Sequence, residues 1–201
     1  GLYFDGSGKY TLDVSNISDN YIAANESYGI EARNSSDIKV DSNVVVSNAL
    51  GGLSVFNGSA QQVANNIIVY NQGVGIRVEA GTNADVQLLH NTIVENEAAG
   101  LIVGTQSIVE LANNIISGHT VGIQTADRSA QVDAAYTLWF ENEAQTRLSG
   151  GGVIVTSHDI LGDPHFRGGD DPFIAYHILT DSLAIDAGGS TALTTDIDDQ
   201  N

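Results

Sequence analysis

Apolar and polar positions in this chain repeat as one pattern written five times, Asn-apolar-apolar-x-x-Asn-x-x-x-Gly-apolar-x-small/apolar. The copies open at Asn20, Asn43, Asn66, Asn91 and Asn114, spaced 23, 23, 25 and 23 residues apart. Their second polar position is Asn25, Asn48, Asn71, Asn96 and then His119, and their glycines are Gly29, Gly52, Gly75, Gly100 and Gly122. Side chains alternate along a strand, so each copy reads as three short strands. The first follows the glycine and turns Ile30 and Ala32, Leu53 and Val55, Ile76 and Val78, Leu101 and Val103, or Ile123 and Thr125 to one side. A second precedes the leading Asn and carries Ile38 and Val40, Val63, Val86 and Leu88, Val109 and Leu111, or Val132 and Ala134. The third follows that Asn, with Ile22, Val45, Ile68, Ile93 or Ile116 at its centre. None of these strands can bury a face alone, so the units must stack. Parallel pairing of equivalent strands sets successive rungs about 4.8 Å apart and gives a column roughly 25–30 Å long.

The polar and glycine positions then fall at corners. Asn accepts the left-handed backbone of a sharp turn, and its amide can bond to the equivalent Asn above and below. Glycine at the other corner is expected to supply backbone freedom. Beyond Gly122 the pattern decays: Thr137 stands for Asn, and Gln145 or Thr146 for Gly. The aromatics Tyr136, Trp139 and Phe140 are expected to plug the failing end of the column; a sugar-stacking platform is the other use of such a cluster. Ser149-Gly150-Gly151-Gly152 reads as a flexible break, with Val153, Val155 and Ile160 as one degenerate rung after it. The expected division is 1–148 for the rungs and 149–201 for the degenerate rung and a capping tail. Gly1-Leu2-Tyr3-Phe4 matches Gly29-Ile30-Glu31-Ala32, which reads as a cut through a longer array whose upstream rungs and export signal lie elsewhere.

Composition agrees with strands and turns. The apolar fraction is 42%, mostly Val, Ile, Leu and Ala, with two prolines and no Met. Seven basic against 25 acidic residues give a net charge of −18, which repels nucleic acid and anionic membrane surfaces but tolerates divalent cations. With no Cys there are no disulfides and no thiolate sites. No apolar run reaches the ~18 residues of a membrane span.

The repeat resembles the right-handed parallel β-helix of the pectate-lyase-like superfamily. The tail sharpens the likeness: Asp163-Pro164-His165-Phe166, Tyr176-His177-Ile178, Ser182 to Gly188 and Thr195 to Asp199 resemble the closing segment of bacterial surface proteins of the choice-of-anchor β-helix type. Ala175, Leu183 and Asp199 depart from that segment, which carries Asp, Pro and Gly there. The resemblance implies an all-β, right-handed parallel β-helix with rungs of about 22–25 residues and a loop-rich C-terminal cap. It also implies an extracellular or cell-surface address, and no particular reaction.

Enzymes on this fold act on an outer strand face, so outward columns carry the candidate chemistry. These are Glu31, Ser54, Arg77, Ile102 and Gln124 on the first strand, and Lys39, Gln62, Gln87, Glu110 and Asp133 on the second. Arg77 and Glu31 stand two rungs apart, about 9–10 Å, too far to act as a pair. Asp37, Lys39 and Asp41 read as a solvated ion cluster. Glu95 with Glu97, and Glu141 with Glu143, are candidate carboxyl pairs for glycoside hydrolysis. His90, His119, His158, His165 and His177 show no metal-ligand spacing, and His119 belongs to an Asn column. Asp85, Asp127 and Arg128 read as loop polar residues. The tail holds the candidate calcium ligands Asp196 and Asp198, beside Asp199 and the Asp170-Asp171 pair, since Ca²⁺ takes several hard oxygens. Asn34 and Asn57 lie in glycosylation sequons that matter only in a eukaryotic secretory route. No catalytic residue is assigned. The expected function is a monomeric extracellular module that binds a polysaccharide or cell-surface glycan or serves as a stalk. The alternatives are a fragment of a lyase or glycoside hydrolase, and a spacer.

Overall fold

The computed structural model describes residues 1–5, 16–34, 38–58, 61–81, 84–193, 195 and 197. Among them, three parallel sheets of seven strands each wrap one column. Sheet A contains Leu2–Asp5, Tyr28–Arg33, Gly51–Phe56, Val74–Glu79, Ala99–Val103, Val121–Thr125 and Ala144–Leu148. Sheet B runs from Asn16–Ser18 through Lys39–Asp41, Gln61–Ala64, Ala84–Leu89, Ser107–Ala112 and Gln131–Ala135 to Val153–Ser157. Sheet C runs from Tyr21–Ala23 through Val44–Val46, Ile67–Val69, Thr92–Val94, Ile115–Ser117 and Leu138–Phe140 to Ile160–Leu161. The chain visits A, B and C in turn and returns one rung further on, so every neighbour is a parallel partner about one repeat away. The degenerate rung after Gly152 is therefore built as strands that continue sheets B and C.

The interior is a set of stacked apolar rows. Ile30, Leu53, Ile76, Leu101 and Ile123 pair in register and are fully buried, as are Ile68, Ile93 and Ile116 of sheet C. Trp139 falls in register below Ile116 and points into this core, whereas Tyr136 turns outward and stacks on His158 at 4.5 Å. The aromatics thus divide between inside and outside instead of forming one platform.

Two amide ladders hold the corners. Along the first, each Nδ2 donates to the Oδ1 one rung on, from Asn20 to Asn43 (3.0 Å), Asn66 (3.0 Å), Asn91 (3.0 Å) and Asn114 (3.1 Å). It stops at Thr137, whose buried hydroxyl finds no partner among the described residues. The second runs Asn25, Asn48, Asn71 and Asn96 at 2.7–2.9 Å and passes through His119 to Asn142. Polarity fixes the imidazole: Nδ1 donates to Asn142 Oδ1 (3.1 Å), while Nε2 accepts from Asn96 Nδ2 (3.3 Å). One neutral tautomer thus replaces an amide.

The turn geometry corrects two expectations. The ladder asparagines are not themselves left-handed; the residue before each of them is, with φ of 53–60° at Asp19, Ser42, Asn65, His90, Asn113 and Tyr136. The ladder amide is thereby free to turn inward while its neighbour reverses the chain. The corner glycines do not need positive φ either. A Cβ on Gly52 would lie 2.4 Å from Ile68 Cγ2 and 2.6 Å from the Gly75 carbonyl oxygen. Their role is to leave room for the sheet C side chain and the next rung.

Burial of His119 lowers its pKa from 6.5 to about 4, against the smaller opposing effect of its bond to Asn142. Between those values the unfolded chain takes up a proton that the folded chain refuses. Stability is full above pH 6.5 and falls as pH drops toward 4, by about 3 kcal/mol over the window. His119→Asn keeps the ladder and removes this dependence. The difference in urea midpoint between the two proteins is expected to grow steadily on acidification from pH 6.5 to 4.

After Leu161 the chain folds back along the outside of sheet C. There Val44, Val46, Ile67, Val69 and Val94 turn outward and are covered by Phe166, Phe173, Tyr176 and Ile197. A four-residue helix, Pro172–Ala175, sits on this apolar strip, capped by Asp171 Oδ1, which accepts from Phe173 N at 3.1 Å. The segment then returns antiparallel, with Phe166 bridged to Ile178, and Leu183 reaches the turn at Gly162. A last pass climbs the corner between sheets B and C. Asn113 exchanges hydrogen bonds with the backbone of Gly189 (2.8 and 2.7 Å), Thr191 Oγ1 meets His90 Nε2 (2.8 Å), and Asn65 Nδ2 donates to the Thr195 carbonyl (3.1 Å).

Candidate functional site

Sheet A presents the outer face richest in chemistry. The expected column is in register, Glu31 beside Ser54, Arg77, Ile102 and Gln124, and Arg147 continues it. A second outward column, Arg33, Phe56 and Glu79, lies two residues further along the strands. Strand alternation brings the charges together within single strands. Arg33 Nε donates to Glu31 Oε1 at 2.7 Å, and Arg77 Nε donates to Glu79 Oε1 at 2.9 Å. Arg77 and Glu31 therefore have separate partners, as their two-rung distance requires. The Arg33 guanidinium also lies 5.2 Å over the Phe56 ring.

Tyr28 completes this face. Its ring lies over Gly51, where a Cβ would stand 2.7 Å from Tyr28 Cε1, at the end of an outer apolar row formed by Val74, Ala99 and Val121. Its hydroxyl is hydrogen-bonded to Arg77; burial raises its pKa most, Arg77 opposes that, and Glu79 and Glu31 add to it. The phenol therefore stays neutral. The result is a strip of two aromatic rings and two matched Arg–Glu pairs, the pairs two rungs apart with the Gly51–Phe56 strand between them. The i, i+2 pairs Glu31/Arg33 and Arg77/Glu79 and the glycine beside Tyr28 were the sequence signals for it.

The other expected candidates disperse. Sheet B carries Lys39, Gln62, Gln87, Glu110 and Asp133 in one outward row as expected. Asp41 of the same strand accepts from Asn65 Nδ2 at 3.2 Å, and Asp37 lies outside the described residues. Glu95 and Glu97, like Glu141 and Glu143, sit exposed in turns between sheets C and A, Glu95 and Glu141 at positive φ. Asp85 is an exposed strand residue, and Arg128 packs its stem near Gly151. Asp127 Oδ1 accepts from Ser129 N at 2.7 Å and from the Ser129 hydroxyl, and these bonds hold its carboxyl below the usual range. His165 pairs with Asp181 at 3.1 Å, His177 packs against Phe173, and His90 holds Thr191. Asp171 caps the helix. Asp196 and Asp198, the calcium candidates, lie outside the described residues, as does Asp199.

Solved structures share this architecture. The periplasmic alginate epimerase AlgG superposes with a TM-score of 0.62 at 19% identity, over 74% of this chain and 39% of that one. A double mutant of AlgG gives 0.64 at 19% identity, over 81% and 42%. Pectate lyase Pel9A aligns at 11% identity over 99% of this chain and 77% of that one, with a TM-score of 0.46. This chain spans about two fifths of the length of AlgG. What it shares with AlgG is the fold. No helix among the described residues is long and apolar enough to cross a membrane. Among curated proteins none matches the chain by sequence. Residues 1–136, well over half of the chain, match the family described as the right handed beta helix region, and this protein belongs to that family.

Proposed function

We propose that this chain is a glycan-binding module of a protein outside the cytoplasm, and that a polysaccharide lies along the outer face of sheet A. The observation that carries this reading is the strip itself, with the rings of Tyr28 and Phe56 on either side of guanidinium groups held by their own strands. Aromatic faces stack on the apolar face of a sugar, and fixed polar groups beside them take up its hydroxyls. Rungs about 4.8 Å apart repeat that opportunity along the column. The likeness to a periplasmic, alginate-acting enzyme supports a carbohydrate partner and an address beyond the cytoplasm.

Binding is favoured over cleavage because Glu31 and Glu79 are each engaged by an arginine of their own strand. A uronate lyase needs a base free to approach the sugar carbon and a cation for the carboxylate. The charge of −18 also opposes a bare polyanion. Affinity electrophoresis through neutral polysaccharides and alginate, with and without calcium, tests the proposal. Retardation by a neutral polymer is expected, weakened about fivefold or more by Phe56→Ala, the loss of one stacking contact. A calcium-dependent gain that is lost on Asp196→Ala and Asp198→Ala would support these two residues as ion ligands. Retardation by none of the polymers would overturn the module, and released product would overturn its non-catalytic character.

A further inference from the structure

A cavity lies away from sheet A, between the returning tail and the corner of sheets B and C. It encloses about 370 Å³, within the range of small-molecule sites. One wall is polar, with Asn65, Asn113 and Thr92; the rest is apolar, with Ile67, Ile115 and the ring of Tyr176. Each element is placed by the fold. Asn65 and Asn113 belong to the left-handed turn column and face outward, while Ile67, Thr92 and Ile115 form one outward row of sheet C.

Thr92 is the anomaly of that row. It interrupts an apolar series, Val44, Ile67, Thr92, Ile115 and Leu138, and its hydroxyl makes no hydrogen bond among the described residues. Asn65 Nδ2 donates to Asp41 Oδ1 and to the Thr195 carbonyl, and its Oδ1 accepts no hydrogen bond among the described residues, which leaves that oxygen open as an acceptor on the cavity wall. The lining residues include no Lys, Arg, Asp or Glu, so the chemistry suits a neutral ligand. An apolar floor, one aromatic ring and a polar edge with open hydrogen-bonding atoms match a pyranose, which has a C–H face and a hydroxyl rim.

From this geometry we propose that the cavity is a small-sugar site, taking a neutral saccharide of one or two rings, with Asn65 Oδ1 accepting from a sugar hydroxyl and Thr92 Oγ1 bonding to another. Tail residues Tyr176 and Ile178 close over it, so occupancy and tail docking reinforce each other. The site is separate from the proposed polysaccharide face.

The full chain is titrated with methyl glucoside, methyl galactoside, methyl mannoside and β-linked glucose and galactose disaccharides, each to about 10 mM, a range that captures millimolar affinity. Side-chain amide resonances of Asn65 and Asn113, the Thr92 methyl and the ring resonances of Tyr28 and Phe56 are followed by NMR. Saturable shifts at these groups with at least one sugar are expected. Thr92→Ile restores the apolar row and fills the cavity; it is expected to weaken binding tenfold or more without lowering the melting temperature. Retardation by polysaccharide is expected to persist in that variant, whereas Phe56→Ala leaves the small-sugar shifts intact. No saturable shift with any sugar, shifts unchanged in Thr92→Ile, or shifts confined to Tyr28 and Phe56 would each overturn the site.

Discussion

Asn66→Leu is expected to lower stability by about 4–6 kcal/mol, a large share of the ~5–15 kcal/mol that holds a typical domain. The leucine has nearly the right volume, so lost hydrogen bonds carry the effect. Asn66 Nδ2 donates to the carbonyls of Ala64 (2.7 Å) and Val40 (2.9 Å) and to Asn91 Oδ1 (3.0 Å). Its Oδ1 accepts from both the backbone N and the Nδ2 of Asn43, at 3.0 Å each. All of these groups are buried, and each one orphaned costs about 1–3 kcal/mol. Asn57→Gly is the control. That asparagine makes an exposed bond to Asn34 at 3.1 Å from a backbone with φ of 54°, which glycine adopts freely. Its loss is expected to change stability by no more than about 0.5 kcal/mol. Chemical denaturation of both variants checks the pair; equal effects would show that the ladder does not depend on burial.

Gly52→Ala is the second large effect, about 3 kcal/mol of destabilisation from a single methyl group, at the upper end for overpacking. The added carbon would meet Ile68 Cγ2 at 2.4 Å, the Gly75 carbonyl oxygen at 2.6 Å and Asn71 Nδ2 at 3.1 Å. The first contact is core, the second is the backbone of the next rung, and the third is the second ladder. No flexible side-chain end can yield, so rungs must separate or the ladder must shift. Were backbone freedom the reason for glycine here, alanine would be harmless, because φ at this position is not in the left-handed region. A thermal melt within a degree or two of wild type would restore that simpler explanation.

The sequence carried the column well for a physical reason. A two-residue alternation repeated at fixed spacing specifies both which side chains face in and which stand in register, so Glu31, Ser54, Arg77, Ile102 and Gln124 were readable as one outward row. The corners were less legible, because residue type alone does not separate a steric need from a conformational one. Gly52 and the left-handed residues before the ladder asparagines show this. The tail's path was hidden for another reason. Its contacts are non-local, and the only local hint was that Val44-Val45-Val46 and Ile67-Ile68-Val69 are apolar on both faces, which demands a cover on each. The candidate face was half legible: its columns followed from periodicity, but the lie of Tyr28 across Gly51 depends on packing between rungs. Asn65 and Thr92 carry no local signal of a site, because what encloses them is the non-local tail.

The returning tail also changes what kind of folding unit this is. Stacked coils have nearly one-dimensional energetics, each turn speaking only to its neighbours, so their ends can melt while the middle persists. Here the bond from Asn65 to Thr195 joins positions 130 residues apart, and Asn113 and Gly189 join positions 76 apart. Those ties make the far end of the column answerable to its middle. Loosening the turns near Ile160 releases the cover over Val44 and Ile67, and the cost is felt several turns away. Amide exchange should therefore report one cooperative block from Val44 to Leu161, with no gradient of protection running toward the last turn.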